Sequence, residues 1–317
     1  MNTKKFIVTG GCGFIGSHMV KSLLNMGHEV IVIDNLETGN IRNININHEN
    51  ISFYEKDLSD VDDVNDVITL LGYQRNKIDG IFHVAAKARI QPSIENPGRT
   101  FSCNVQGTFN VLELCRALKI NNLVYSASSS AYGSADEIPN RIQDKTNCLN
   151  PYALTKFVGE ELCKTWSACY GINTVCLRYF NVYGSNAQLE GQYAPVIGIF
   201  FRQKLKEMSA MTITGDGEQR RDFTHVSDVV NVNLLAMEKS EKVSGKVFNV
   251  GYGKNYSIND VAKFIGGETK FIPERQNESR KTLADITETK ELLNWNPEVS
   301  LEEGVELMRK HYEKLFK

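Results

Sequence analysis

Three things are scarce in this 317-residue chain, and each scarcity closes off a class of function. The first is net charge: 36 Lys and Arg stand against 38 Asp and Glu, leaving −2 at pH 7. Such a balance offers no broad attraction for nucleic acid or an anionic membrane, so a ligand has to be recognised by a local site. The second is paired metal or redox ligands. Cys12, Cys103, Cys115, Cys148, Cys163, Cys169 and Cys176 form no C-x-x-C pair and read as reduced core thiols, and the six histidines include no i, i+4 pair. No metal site is expected. The third is length of apolar run: none approaches the ~18 residues that span a bilayer. The N-terminus enters a strand pattern without the charged, apolar and cleavage regions of a leader. A soluble, cytoplasmic protein is expected, of about two domains by length.

What is present is organised around Thr9-Gly10-Gly11-Cys12-Gly13-Phe14-Ile15-Gly16, directly after the apolar run Phe6-Ile7-Val8, which reads as a buried parallel strand. Gly10, Gly13 and Gly16 fall at i, i+3 and i+6. The first permits a tight strand-to-helix turn, the second lets backbone N–H groups approach a pyrophosphate, and the third lets the helix pack on the sheet. Phe14 and Ile15 open that helix, whose positive end faces the anion. A second strand, 29–33, ends at Asp34, eighteen residues beyond Gly16, where a carboxylate would hydrogen-bond a ribose hydroxyl pair. The next basic residue is Arg42, in a later polar loop, so NAD is expected rather than NADP.

From there strand and helix patterns alternate up to Tyr183, which predicts six or seven parallel strands in one sheet. Asp57 ends a strand at the cofactor-facing edge, placed to accept a hydrogen bond from an adenine amino group. The acids Asp60, Asp62 and Asp63 read as the first turn of a helix over 61–71 rather than a metal site. After the strand 78–83, Val84-Ala85-Ala86 leaves room for a flat cofactor. Asn96-Pro97 and Asn150-Pro151 each pair a capping Asn with Pro at the first helical position, predicting two long helices. The first carries Phe101, Val105, Thr108, Leu112 and Cys115 as one apolar stripe.

Strand 122–126 runs into Ala127-Ser128-Ser129-Ser130, at the strand end where doubly wound sheets bind ligands. Beyond Tyr183 the strands are short and separate, 212–214 and 246–250 among them. The expected architecture is α/β: a doubly wound parallel Rossmann sheet in 1–183, to which some later segments return, with a smaller C-terminal α/β substrate lobe in 184–317. Trp295 and the stripe Leu301, Val305, Met308 read as core of the terminal helix.

Tyr152-Ala-Leu-Thr-Lys156 puts a phenol and an ammonium at i and i+4 on one helix face. A Tyr acts as a base near neutrality only if its pKa falls from about 10, and a nearby Lys with a positive nicotinamide ring would lower it. With this pair the resemblance is complete. Gly10 to Gly16, Asp34-Asn35-Leu36, Asp57-Leu58, His83-Val-Ala-Ala86, Asn104-Val-Gln-Gly107, Ser126 to Gly133, Tyr152 to Lys156, Arg178 to Gly184, Gly215 to Asp222 and Ala284-Asp285-Ile286 occur in that order over nearly the whole chain. The sequence resembles the extended short-chain dehydrogenase/reductases, in their nucleotide-sugar 4-epimerase branch.

That resemblance implies a catalytic Ser128, Tyr152 and Lys156, and NAD contacts from Asp34, Asn35, Asp57, Leu58, Ala85, Ala86, Asn104, Tyr152, Lys156 and Phe180. It implies a UDP-sugar held by Ser128, Tyr152, Asn181, Val196, Thr214, Arg221 and Arg275, with Thr282 gating the sugar pocket. A small gate favours UDP-N-acetylglucosamine/UDP-N-acetylgalactosamine, with UDP-glucose/UDP-galactose alongside. Many galactose epimerases carry Lys where this chain has Ala88; Lys87, one position earlier, is the candidate for that cofactor contact. A homodimer through the helices after Asn96 and Asn150 is the family expectation.

Three rivals follow from the same residues. A dehydratase or decarboxylase needs an acid beside the catalytic Ser, and Ser128-Ser129-Ser130 offers none. A UDP-glucuronate 4-epimerase needs a cation facing the sugar carboxylate, for which Arg89 and Lys87 are candidates. A non-catalytic NAD sensor can lose its Ser, Tyr and Lys, and here all three stand.

Overall fold

The computed structural model describes residues 3–73, 77–134, 137–190, 194–274 and 279–316. In its first half the strands β1 (Lys5–Thr9), β2 (Glu29–Asp34), β3 (Ile51–Glu55), β4 (Gly80–His83), β5 (Asn122–Ser128) and β6 (Asn173–Tyr179) alternate with helices. These are α1 (Phe14–Asn25), α2 (Val61–Tyr73), α3 (Ile90–Glu95), α4 (Pro97–Phe101), α5 (Gly107–Leu118) and α6 (Pro151–Tyr170). The second half has shorter strands: β7 (Val182–Tyr183), β8 (Met211–Thr214), β9 (Arg220–Asp222), β10 (Thr224–His225), β11 (Lys246–Val250), β12 (Asn255–Ser257) and β13 (Thr269–Ile272). Its helices are α7 (Val196–Phe201), α8 (Val226–Glu238), α9 (Ile258–Ile265), α10 (Thr287–Leu293) and α11 (Leu301–Leu315).

Apolar strands such as Phe6-Ile7-Val8 and Val30-Ile31-Val32-Ile33 are buried on both faces, which a parallel sheet covered by helices requires. The sheet has seven strands in the order β11-β6-β5-β4-β1-β2-β3, all parallel. Met19, Leu23, Val229 and Val232 of α1 and α8 pack on one face, while Val67, Leu112, Cys115 and Cys163 of α2, α5 and α6 cover the other. A separate core built on Phe200, Phe201, Ile213, Val261, Leu301, Val305 and Met308 supports the lobe.

Three expectations change. Residues 246–250 are no lobe strand: β11 runs parallel to β6 as the seventh strand, reached through the crossover helix α8. Trp295 packs in the sheet core, its indole N–H donating to the Asp228 carbonyl at 3.1 Å, apart from the α11 stripe. The first long helix is interrupted, because a π-helical turn at Ser102–Gln106 separates α4 from α5. The extra residue rotates the stripe, so Phe101 is exposed while Thr108, Leu112 and Cys115 stay buried. Both Asn caps form: Asn96 accepts from the Arg99 N–H and Asn150 from the Ala153 N–H.

Candidate active site

The strand ends and the lobe enclose a cavity of about 580 Å³. At its floor Gly10 has φ +67°, and a Cβ at Gly16 would lie 2.0 Å from the Gly10 carbonyl oxygen, so the turn admits no side chain at either position. Gly13 begins α1 without a capping side chain over the helix end. Asp34, buried at the end of β2, accepts from the Cys12 N–H at 2.9 Å and the Leu36 N–H at 2.8 Å; burial pushes its carboxyl pKa up and those two donors oppose the push. The same burial, with Asp34 alongside, raises the Cys12 thiol to about 12. A cradle without side chains, a helix N-terminus and a carboxylate at the next strand end fit a dinucleotide.

The next wall is wired by one histidine. Thr108 donates its hydroxyl to the Asn104 carbonyl at 2.6 Å, so it accepts from His83 Nε2, 3.0 Å away. His83 Nδ1 then accepts from the Thr9 hydroxyl at 2.8 Å, and Thr9 Oγ1 accepts from the Val84 and Ala85 N–H groups. Burial holds His83 down to about 3, which keeps the ring neutral for this arrangement. Asn104 ties Lys87 at both backbone atoms (2.7 and 3.1 Å) and donates to Thr155 Oγ1 at 2.9 Å, fastening the loop after β4 to α6.

Tyr152 stands in the first turn of α6 and lines the cavity with Ser128 at the end of β5; Ser128 Oγ lies 2.8 Å from Ser130 Oγ. Burial raises the Tyr152 pKa, opposed by the nearby Ser128 hydroxyl and the positive charge of Arg89. The expected lowering by Lys156 is not seen. Its ammonium donates to the Ser126 carbonyl and sits 4.8 Å from the Tyr125 ring centroid, and burial lowers it to about 8. Below this pair Glu160 and Arg178 form a buried ion pair at 2.7 Å, and Arg178 lies 4.7 Å from the Tyr132 ring centroid. The Tyr132 hydroxyl donates to Asn249 at 2.7 Å, and Asn249 donates to the Asn140 carbonyl at 2.9 Å.

The opposite half is held by long-range pairs. β9 pairs antiparallel with β12, and Arg220 bridges Lys281. Asp222, fully buried, accepts from the N–H groups of Tyr252 (2.7 Å), Gly253 (3.0 Å) and Ala284 (3.1 Å); burial raises its pKa to about 6 against those donors. Asn140 and Ala284 bridge from the other side. The segment carrying Thr282 is thereby gripped from the lobe and from the sheet, and Thr282 Oγ1 is buried without a partner among the described residues.

Gly10, Gly13, Phe14, Ile15, Gly16, Asp34, Asn35, Asp57, Leu58, Ala85, Ala86, Lys87, Ser128, Tyr152, Asn181, Val196, Thr214, Arg221 and Thr282 all line this one cavity. Asn104, Lys156 and Phe180 do not: each is buried behind the wall, Phe180 against Tyr132. Arg275 lies outside the described residues. Asp57 reaches the cavity with both carboxylate oxygens occupied, one by Ser59 and the other by Arg99 and Asn35. Glu37 and Glu160 escaped the sequence reading, and Arg178 entered it only as the start of a motif segment; the signal for Glu160 was its place four residues after Lys156, on the face that carries Tyr152.

Comparison with known proteins agrees with this geometry. The model of the NAD dependent epimerase/dehydratase family matches residues 6–251. A putative UDP-glucose 4-epimerase of Methanocaldococcus jannaschii is 38% identical over 308 residues, covering 94% of this chain and 95% of the relative. The solved UDP-glucose 4-epimerase of Thermotoga maritima with UDP-glucose superposes with TM-score 0.91 at 34% identity, covering 99% of this chain and 100% of that one. The UDP-N-acetylglucosamine 4-epimerase of Methanobrevibacter ruminantium, in complex with UDP-N-acetylmuramic acid, gives 0.89 at 32%, covering 98% and 100%.

Proposed function

The chain belongs to the NAD dependent epimerase/dehydratase family, and from that premise we propose that it is an NAD-dependent UDP-sugar 4-epimerase whose main pair is UDP-N-acetylglucosamine and UDP-N-acetylgalactosamine. UDP-glucose and UDP-galactose form its second pair. The observation that carries the reading is that Tyr152 and Ser128 line the same cavity as Thr282, a side chain that on this reading is a gate too small to exclude an N-acetyl group.

NAD, held by the glycine turn and Asp34, would supply a reversible hydride acceptor for the sugar C4, so that the overall reaction would be redox-neutral. Tyr152 removes the proton of the 4-hydroxyl and later restores it. Ser128 hydrogen-bonds the same oxygen, with Ser130 fixing its hydroxyl. Lys156 anchors the floor of the site through the Ser126 carbonyl, and the charge of Arg89, with that of an oxidised nicotinamide, would favour the phenolate. Arg221 grips the diphosphate, with Arg275 as its second cation, while Val196 and Thr214 line the uridine and Asn181 contacts the diphosphate-sugar. Asp34 and Asn35, with Leu58, Ala85 and Ala86, bound the cofactor. Residues 1–183, with β11, α8 and α10, serve the dinucleotide, and the rest of 184–317 serves the nucleotide sugar.

No acid stands beside Ser128, which weighs against a lyase. A second reading, UDP-glucuronate 4-epimerase, is favoured by Arg89, which lines the cavity near Tyr152; Lys87 is engaged with Glu37 instead. Exposed Ile94, Phe101, Phe109 and Leu154 on α3 to α6 support the homodimer. Seven unpaired cysteines support a cytoplasmic setting, and among the described residues no helix is long and apolar enough to cross a membrane.

The test is a product assay on purified protein with UDP-N-acetylglucosamine, UDP-glucose and UDP-glucuronate, no cofactor added, resolving 4-epimers by proton NMR. UDP-N-acetylgalactosamine is expected. Turnover of UDP-glucuronate alone would install the second reading, and no epimer from any of the three, even with added NAD, would end both.

A further inference from the structure

In the sheet β1 lies between β2 and β4, so the glycine turn after β1 has the loop after β2 on one side and the loop after β4 on the other. Side chains join those two loops across it. Leu36, with φ 57°, turns the β2 loop, and Glu37 then pairs through one oxygen with the Lys87 ammonium and through the other with Arg99 Nη2 at 2.6 Å. Arg99 carries the link on to the end of β3, with Asp57 Oδ2 at 2.7 Å and Ser59 Oγ at 2.9 Å. Elsewhere the same loop is pinned by Gln188, which donates to the Thr38 carbonyl at 2.9 Å, and by Asn40 and Asn43, which both donate to the Cys12 carbonyl at 2.9 Å. Asp34, Glu37, Thr38, Gly39, Asp57 and Lys87 all face the cavity.

We infer that Glu37, Lys87 and Arg99 form an ion-pair clamp that closes the 35–40 loop over the adenosine half of the bound dinucleotide and sets the rate at which it leaves. The inference rests on the cofactor part of the proposed function and not on the identity of the sugar. Its logic is that a redox-neutral reaction regenerates its own cofactor at every turnover, so a latch that slows exchange costs no activity. Bridging one carboxylate to two cations gives each charge a partner on a different wall, so the loop moves only if both pairs open. The exposures of Lys87 (13%), Arg99 (31%) and Glu37 (37%) leave the cluster open to water, where added salt weakens it.

The experiment measures NAD content after purification, and the rate of NAD loss into an enzymatic trap, for the wild type, Glu37→Gln and Arg99→Met, each at low and high salt. Both variants are expected to lose NAD about tenfold faster, the equivalent of ~1.4 kcal/mol. Salt should accelerate loss from the wild type more than from either variant, and Arg99→Lys should recover most of the retention. Equal rates in all proteins would overturn the clamp while leaving the cofactor reading intact. So would faster loss that is indifferent to salt and accompanied by a lowered melting point of the NAD-free variants, since the cluster would then serve stability alone. A chain that neither carries nor binds NAD would overturn the cofactor reading and the clamp together.

Discussion

Around Gly10, Asp34, Asp57 and Ala85 the wall of the cleft comes from the ends of β1 to β4, strands adjacent in the sheet and close in sequence, whereas around Arg221 and Thr282 it comes from partners far apart in sequence. Asp222 reaches Ala284 across 62 positions, and Tyr132 reaches Asn249 across 117. The first wall inherits its rigidity from a continuous parallel ladder. The second is fastened by single buried polar groups, each holding several backbone atoms at once. Damage should therefore spread slowly through the cofactor half and quickly through the sugar half, while a residue at the seam should affect both.

The largest expected effect lies at that seam. Tyr152→Phe should lower turnover by about 10³-fold, within the range of a lost general base, while NAD content and UDP binding stay as they are. Steady-state kinetics with calorimetric UDP binding checks this, and turnover within tenfold of the wild type would remove Tyr152 from the chemistry. Arg178→Met leaves the Glu160 carboxylate, fully buried, without its partner, and should cost about 3–5 kcal/mol in a denaturant titration. Because Arg178 underlies both α6 and the Tyr132–Asn249 link, cofactor retention and sugar affinity should fall together; loss of one alone would separate the halves.

A pH series tests the floor of the cofactor half. Burial holds Lys156 at about 8 against an ordinary 10.5, so between those values the unfolded chain binds the extra proton and the folded chain does not. Folded stability therefore rises with pH through that window relative to a Lys156→Met variant, by about 3 kcal/mol at most. A constant difference from pH 7.5 to 10.5 would mean that the ammonium keeps its proton in the fold.

Two changes confined to the sugar half should be milder. Thr282→Tyr should cut kcat/KM for the N-acetylated substrate at least tenfold more than for UDP-glucose, roughly 1.4 kcal/mol of discrimination; equal losses on the two would argue against a gate. Asp222→Asn keeps the size of the side chain but removes one acceptor from three backbone N–H groups, and should raise KM for either UDP-sugar by several-fold, an effect of ~1 kcal/mol. NAD content should not change, and its loss would show that the lobe also braces the cofactor wall.

Much of the cofactor half was legible in the chain because its requirements are local. A glycine with φ +67° followed by one with no room for a Cβ, a carboxylate at the next strand end and an Asn–Pro helix start are each written within a few residues. The helix stripe through Phe101 misled because one inserted π-turn residue changes which face is buried, and no short-range pattern marks it. Asn104 and Phe180 carry motif identities yet lie behind the wall, where the backbone of Lys87 and the ring of Tyr132 claim them.

By itself the sequence determined the strand–helix alternation, the glycine turn, the position of Asp34 and the Tyr152–Lys156 pair, since hydrophobic period and steric demand act between near neighbours. Only the tertiary structure decided that β11 completes the sheet, that Glu37 meets Lys87 and Arg99, that Lys156 faces the Ser126 carbonyl, and that Asp222 and Asn140 grip the Thr282 segment from two sides. Those are pairings between distant positions. They are selected when buried polar groups must find partners inside the folded chain, a condition that arises only after the elements have packed.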